Sequence, residues 1–361
     1  MRGCYMPEES EHMKYYFQEN KEDIMKKKLA WVMTLVLVVL ACSGLLAAAS
    51  AESTELTKIR AAFHPNLGPM TIPGIEKKMG FFKEEGLDVE WLKFTAGAPE
   101  IAAMVSGDLQ FGYIGHGALA LCAEGQAEVL SLSHFTNSEA LLVRADSGIK
   151  TMADLVGKTV ATEAGTSGEV LLEMACTKYG VPMDSLNFVN MSITNAVAAF
   201  VGGSIDAVVA WGADITSIMD NVDEEVFAVV QTSDFMDVVP FIGSWIANGD
   251  YVKENPDMAL RFLRGLNKCY DYRYEHLDET IQAAADFAEA QDIGVTYDNL
   301  NSERDQLVFF PLSDAEEWLT NGKMEGDFQL QLEYMINSGR IEKGDIQDYV
   351  RFDLMKEALG I

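Results

Sequence analysis

The sequence predicts an α/β protein built as two lobes around a cleft. From Leu56 onward, strand-like segments alternate with helix-like ones, and the alternation is run through twice. Three of the strand-to-helix turns are also almost bare of side chain: "FTAGAPE" (94–100), "YIGHGA" (113–118) and "TEAGTSGE" (162–169).

The first series reads "TKIRAAF", "MTIPGIEKKMGFFKEEG", "LDVEWLKF", "APEIAAMVSG", "DLQFGYIG" and "HGALALCAEG". Strands separated by helices in this way predict a mostly parallel sheet covered on both faces. "SEALLVRADSGIKTMADLVG" leads through a strand, a polar turn and a short helix into the second series, "KTVATEA", "SGEVLLEMACTKYG", "LNFVNM", "ITNAVAAFVGG" and "SIDAVVAW". The series closes at "VVPFIGSWIANGDYVKENPDM", where an apolar strand reads as a return crossing, and the pattern beyond about Asn255 is helical. Two crossings place hinges near Leu142–Arg144 and Ser244–Ile246. They divide the chain into the first part of lobe 1 (52–143), lobe 2 (144–243), and a return to lobe 1 with C-terminal helices (244–361).

The N-terminus stands apart from this fold. "MKKKLAWVMTLVLVVLACSGLLAAASAE" begins at Met25 with three lysines, runs apolar, and reaches Ala49-Ser50-Ala51. Residues 25–51 thus read as a signal peptide cut after Ala51. A membrane anchor is the competing reading, since the apolar run is roughly long enough to span a bilayer. The small residues at its end favour cleavage. "VLACSG" offers a second processing route, lipid attachment at Cys42, although Leu40 is less usual there. Residues 1–24 read as an over-called translation start. Both routes export the mature protein to a periplasm or cell surface.

Removing residues 1–51 takes away six Lys/Arg and six Asp/Glu, so the net charge of −29 is unchanged. A field that negative repels nucleic acid and anionic membranes. It also repels small anions at long range, so an anion site here has to work through short-range, oriented donors. Cys122, Cys176 and Cys269 lack CxxC spacing and sit in apolar, helix-like settings, which reads as buried small residues rather than disulfides or a zinc site.

In open α/β sheets, ligands lie beyond the carboxyl ends of strands, where turns lead into helices. Each such helix start carries unpaired N–H groups and a partial positive charge, an anion receptor that needs no lysine. In "TEAGTSGE", Gly165 is followed by Thr166 and Ser167, whose hydroxyls add donors; the bland alternative is a simple helix cap. The turn is not a nucleotide loop, because GxxxxGK[ST] and a helix-leading GxGxxG are both missing. His64, His116, His134 and His276 show no metal-ligand spacing, and no GxSxG elbow is present, so neither a metal, a cofactor nor a catalytic set is expected. For the opposite end of a ligand, Glu139, Glu169 and Asp214 are candidate partners of a cationic group, with Glu169 better read as a first-turn helix acid. Trp211 and Trp245 offer aromatic walls, or core packing.

Taken in order, "GFFKEEGLDVEW", "SGDLQFGYIGHGALAL", "NSEALLV", "DLVGKTVAT" and "GSIDAVVAW" resemble the substrate-binding proteins of ABC importers, of the aliphatic sulfonate, taurine and nitrate type. The match covers roughly residues 57–250, and "NSEALLV" looks like the taurine-binding branch. The resemblance implies a type II periplasmic-binding-protein fold that closes on one small anionic or zwitterionic ligand, a sulfonate, and performs no catalysis. It implies an ABC permease and its ATPase as partners, with the chain acting as a monomer. The family's cleft residues map onto His64, Asn66, Gly115, His116, Asn137, Ser138, Glu139, Thr166, Ser167, and the run from Trp211 to Asp214. "GHGA" stands where that branch more often has serines, and "WGAD" where it tends to have Trp-Ala-Pro. Asp214 suits an aminosulfonate better than a plain alkanesulfonate or nitrate. The alternatives are a binder of nitrate or of a thiamine pyrimidine precursor, a pyrimidine-forming enzyme on the same fold, and an exported sensor domain.

Overall fold

The computed structural model describes residues 55–235 and 238–361. Residues 1–24, the signal-like segment 25–51 and Cys42 lie outside the described residues. Eleven strands form two sheets: β1 (Thr57–Phe63), β2 (Leu87–Lys93), β3 (Phe111–Ile114), β4 (Glu128–Thr136), β10 (Ile242–Ala247) and β11 (Leu307–Val308) in the first, and β5 (Glu139–Arg144), β6 (Thr159–Thr162), β7 (Asn187–Asn190), β8 (Ala207–Trp211) and β9 (Val226–Gln231) in the second.

The first sheet runs β2-β1-β3-β10-β4-β11 and the second β7-β6-β8-β5-β9. The first five positions follow one plan. β1 is parallel to β2 and β3, as β6 is to β7 and β8. The strand that arrives from the other sheet, β10 or β5, is antiparallel to both its neighbours. Each sheet is therefore mixed, where the alternation alone predicted mostly parallel pairing. The chain changes sheets at Asn137–Ser138 and again between Gln231 and Ile242, not at the two expected hinges. Those positions lie inside β5 and β10, whose backbones are held by ladders on both sides.

Alternation decides the layers of the second sheet. Leu141 and Val143 of β5 face a cluster with Leu171, Leu172 and Ala175 of the helix Ser167–Tyr179, while Ala140 and Leu142 face Ala196 and Phe200 of the helix Ile193–Val201. A period of two buries both faces of this inserted strand. In the first sheet, Ile59 and Ala61 pack toward Phe262, Leu263 and Leu266 of the helix Pro256–Glu275, whereas Ala62 packs toward Met104 and the C-terminal Phe328 and Leu332. Cys122, Cys176 and Cys269 are free and buried in these layers.

Two side chains tie the halves together across the cleft. Arg340, after the helix Lys323–Asn337, pairs with Glu169 at 3.0 Å and Glu173 at 2.8 Å on the helix that starts at Ser167. Glu303, after the helix Tyr297–Ser302, reaches between the halves and is described with the site below. Among the described residues, no helix is long and apolar enough to cross a membrane.

Candidate ligand-binding site

A cavity opens where strands from both sheets end. β1 hands over to His64 and Asn66, β3 to Gly115, β6 to the Gly165–Ser167 turn, and β8 ends at Trp211; each of these residues lines it. Ser138 and Glu139, at the crossing between the sheets, complete the wall. The cavity is small, about 60 Å³, a space for a small molecule and not for a polymer.

Nine of the twelve residues expected at a ligand site therefore surround one space, and three stand outside its lining. His116 is stacked on Phe241 at 4.5 Å, and burial pushes its imidazole down to about 3, so it is a neutral core ring. Asn137 is exposed at the crossing and donates its backbone N–H to the Gln306 carbonyl. Asp214 sits half-buried in the first turn of the helix Ala213–Asn221, where burial pushes its carboxyl up to about 6. Trp245, the second candidate wall, is wholly buried against Trp91, Tyr113 and Phe262.

The turn 163–168 has a specific internal wiring. The Thr166 hydroxyl donates to the Glu163 carbonyl at 2.6 Å. Its proton is thus committed to the protein and not held out for an anion, while the Ser167 hydroxyl favours the ionised form of neighbouring Glu139. Glu169 accepts the Gly165 N–H at 2.9 Å and also holds Arg340, so it is a first-turn acid rather than a partner for the ligand. What the turn offers the cavity is main chain. The first helical bond runs from Val170 N–H to Thr166 O, leaving the amides of the first turn at the helix start.

The opposite chemistry is acidic. Glu139 is buried; it accepts the Thr232 hydroxyl at 2.7 Å, and burial raises its pKa against those hydrogen bonds. Glu303, only 2% exposed, accepts the Leu67 N–H at 2.8 Å through Oε2 and the Ala213 N–H at 3.1 Å through Oε1. These are the first residues of the helices Leu67–Met79 and Ala213–Asn221, one from each half. Burial pushes the Glu303 carboxyl up to about 8, with the two N–H bonds pulling it back and Asp214 adding repulsion. Gly212 makes room for it: its φ of 53° lies in the left-handed region, and a Cβ there would come 3.1 Å from the Glu303 carboxyl carbon. A third acid, Glu100, is wholly buried behind His64, with Oε2 3.0 Å from His64 Nε2.

Among the described residues, no lysine or arginine lines the cavity. The nearest fully buried guanidinium, Arg273, stands behind the wall, bonded to the Ser133 carbonyl at 2.7 Å and stacked on Phe309. Burial, reinforced by Arg273, holds the imidazole of the lining residue His134 well below its usual range, so that ring is neutral. Among the described residues, no group of three His, Cys, Asp or Glu is placed to hold a metal. Glu303, Tyr113 and His134 were not singled out as site residues in the sequence. Glu303 lies in "LNSERDQ", which carries no apolar periodicity and no motif.

The family model described as NMT1/THI5 like matches residues 73–280. A protein of Brucella abortus, provisionally described as a binding protein, is 28% identical over 330 residues, covering 91% of this chain and 98% of its own. A Bacillus subtilis protein provisionally described as an aliphatic sulfonates-binding protein is 24% identical, covering 93% and 97%. The taurine-binding periplasmic protein of Escherichia coli is 29% identical over 189 residues, 51% of this chain and 57% of its own. Among solved structures, the periplasmic nitrate-binding protein of Synechocystis superposes with a TM-score of 0.67 at 15% identity, covering 85% of this chain and 89% of that one. That likeness establishes the periplasmic-binding-protein fold.

Proposed function

Because the chain belongs to the NMT1/THI5 like family, we propose that it is an exported solute-binding protein that captures taurine or a closely related aminosulfonate and delivers it to an ABC permease and its ATPase. The observation that carries this reading is the composition of the cavity wall: a bare helix start, buried carboxyls and, among the described residues, no side-chain cation. A bare anion entering it would face the buried acids Glu139 and Glu303, hold them protonated and find no counter-charge for itself. A zwitterion meets complementary groups at both ends. Its sulfonate takes the amides of the Ser167 helix, whose oriented dipoles count for more in a dry cleft than in water. Its ammonium faces Glu139, which supplies the counter-charge and is drawn back toward ionisation by it.

Taurine and aliphatic sulfonates are the ligands named for two of the relatives, which supports the sulfonate class. None of the proteins compared above is described as an enzyme. Uptake works by population shift: an open form binds through one half, contacts from both halves favour closure, and the closed shape docks on the permease. The protein acts as a monomer, either freed by cleavage after Ala51 or tethered by lipid at Cys42; the mass of the exported chain distinguishes the two.

Thermal-shift screening of the exported chain against taurine, isethionate, alkanesulfonates, nitrate and thiamine pyrimidine precursors tests the reading, since a ligand of the folded state raises the melting point. Taurine should give the largest shift. A second reading, an aminopyrimidine stacked on Trp211 with its amino groups on the acids, draws on the same lack of lining cations. A response to pyrimidines alone would replace the sulfonate reading with it.

A further inference from the structure

Glu303 occupies an unusual position for a lone acid. Its two oxygens take the N–H groups of Leu67 and Ala213, the first residues of helices of 13 and nine residues that belong to different halves of the protein. Two helix starts converging on one point are what the fold would otherwise present to an anionic ligand. Here they are filled from within, by a side chain that lines the cavity and is almost wholly buried. Gly212, with its left-handed backbone and no Cβ to intrude, leaves the space for this carboxylate.

Resting on the aminosulfonate reading, we propose that Glu303 is the charge-selecting residue of the site. By consuming both helix-start amides it closes them to an anionic group, which is left to the other helix starts at the cavity, Gly97 and Ser167. A ligand that is an anion throughout holds the Glu303 carboxyl protonated and is repelled once it ionises, whereas a cationic far end draws it to the ionised form and is held by it. Asp214, beside Ala213, adds to the same negative field. The ligand class this selects is a small zwitterion with one acidic head and one amine, in preference to nitrate or a plain sulfonate.

The test is calorimetric titration, at about pH 8.5 where most of the Glu303 carboxyl is ionised, of the full exported chain and of Glu303→Gln with taurine and with isethionate, which carries a hydroxyl in place of the ammonium. Gln keeps the shape but removes the charge, and its carbonyl can serve only one of the two amides. At an effective dielectric near 20, losing one charge a few ångströms from the ligand is worth about 10- to 100-fold in affinity. The wild-type preference for taurine should therefore shrink by about that factor in Glu303→Gln, with isethionate binding tighter than before. Glu303→Asp, which keeps the charge on a shorter arm, should retain the preference, and thermal melts confirm that both variants fold. Equal weakening of both ligands in Glu303→Gln, or an unchanged ratio, would make Glu303 a structural latch only and overturn the proposal. If wild type binds neither sulfonate, the aminosulfonate reading fails on its own. The selection proposal is then decided by whether Glu303→Gln acquires binding of isethionate or nitrate: acquisition supports it and continued silence refutes it.

Discussion

Closure of the two halves on a ligand depends on one close approach, and replacing Gly117 with alanine tests it. Gly117 sits in the His116–Ala118 turn after β3, on the first-sheet side, and packs against the main chain of Thr166 and Ser167 on the second-sheet side. A Cβ at this position would lie 2.1 Å from the Thr166 carbonyl carbon, 2.3 Å from its oxygen and 2.6 Å from the Ser167 nitrogen. These are backbone atoms and cannot rotate away. Ordinary contact begins near 3.4 Å, so the halves have to part there by more than about 1 Å. That parting stretches the two Glu303 bonds and moves the Ser167 helix start away from the first-sheet wall. Gly117 does not have a left-handed φ, so alanine suits its backbone and the clash is the whole perturbation. Overpacking of this kind costs about 1–3 kcal/mol, which converts to about 5- to 150-fold weaker ligand binding. Calorimetry gives the affinity and solution X-ray scattering gives the radius of gyration, which should rise in the variant. Gly326→Ala, in the helix Lys323–Asn337 with open space around it, is the control and should leave both unchanged. Wild-type affinity together with a wild-type radius in Gly117→Ala would refute the argument.

Glu303 also predicts a pH dependence of stability. Its carboxyl is pushed up to about 8 in the fold from an ordinary value of 4.5, so the folded state holds the proton more tightly than the unfolded chain. The contribution is fully present below about pH 4.5 and is lost as pH rises through about 8, by as much as about 4–5 kcal/mol. Melting temperature should therefore fall across this window in wild type and fall less in Glu303→Gln, with Asp214 leaving a smaller slope in both; parallel profiles would contradict this. Arg340→Gln removes the partner of Glu169 and Glu173, two partly buried charge-assisted bonds. It should cost about 1–3 kcal/mol in urea melts, and an unchanged midpoint would show the pair to be worthless. Binding of an amine beside Glu139, whose pKa burial raises, should release protons. Titrations in buffers of different ionisation heat would reveal it as a buffer-dependent enthalpy, and its absence would place the ammonium elsewhere.

Much of the architecture is local and could be read from the chain. The alternation "TKIRAAF" to "LDVEWLKF" marks β1 and β2 because half-buried strands and amphipathic helices have different periods, and the bare turns mark the carboxyl ends of β2, β3 and β6. The order of strands within the sheets was not available that way. β10 pairs with β3 and β4 from more than 100 residues away, and nothing within "FIGSWIA" records that it will lie antiparallel between them. The site divides on the same line. His64, Gly115, Glu139 and Ser167 were visible because each stands at the end of a recognisable segment. His116 looked alike in sequence, but Phe241 covers it from the far side of the chain and turns it into core. Glu303 left no mark at all, since the amide it binds at Leu67 is 236 residues away. The Thr166 proton is committed within its own turn, to Glu163 three residues off, whereas the acid beside Ser167, Glu139, arrives from another strand.

The most direct test of the central claim is the crystal structure of the exported chain with taurine. The account places the sulfonate oxygens within hydrogen-bond distance of the Ser167 and Gly168 amides and the ammonium against the Glu139 carboxylate, with the Glu303 bonds to Leu67 and Ala213 intact. A sulfonate seated at the Leu67 or Ala213 helix start with Glu303 displaced, or an ammonium pointing to solvent, would contradict it.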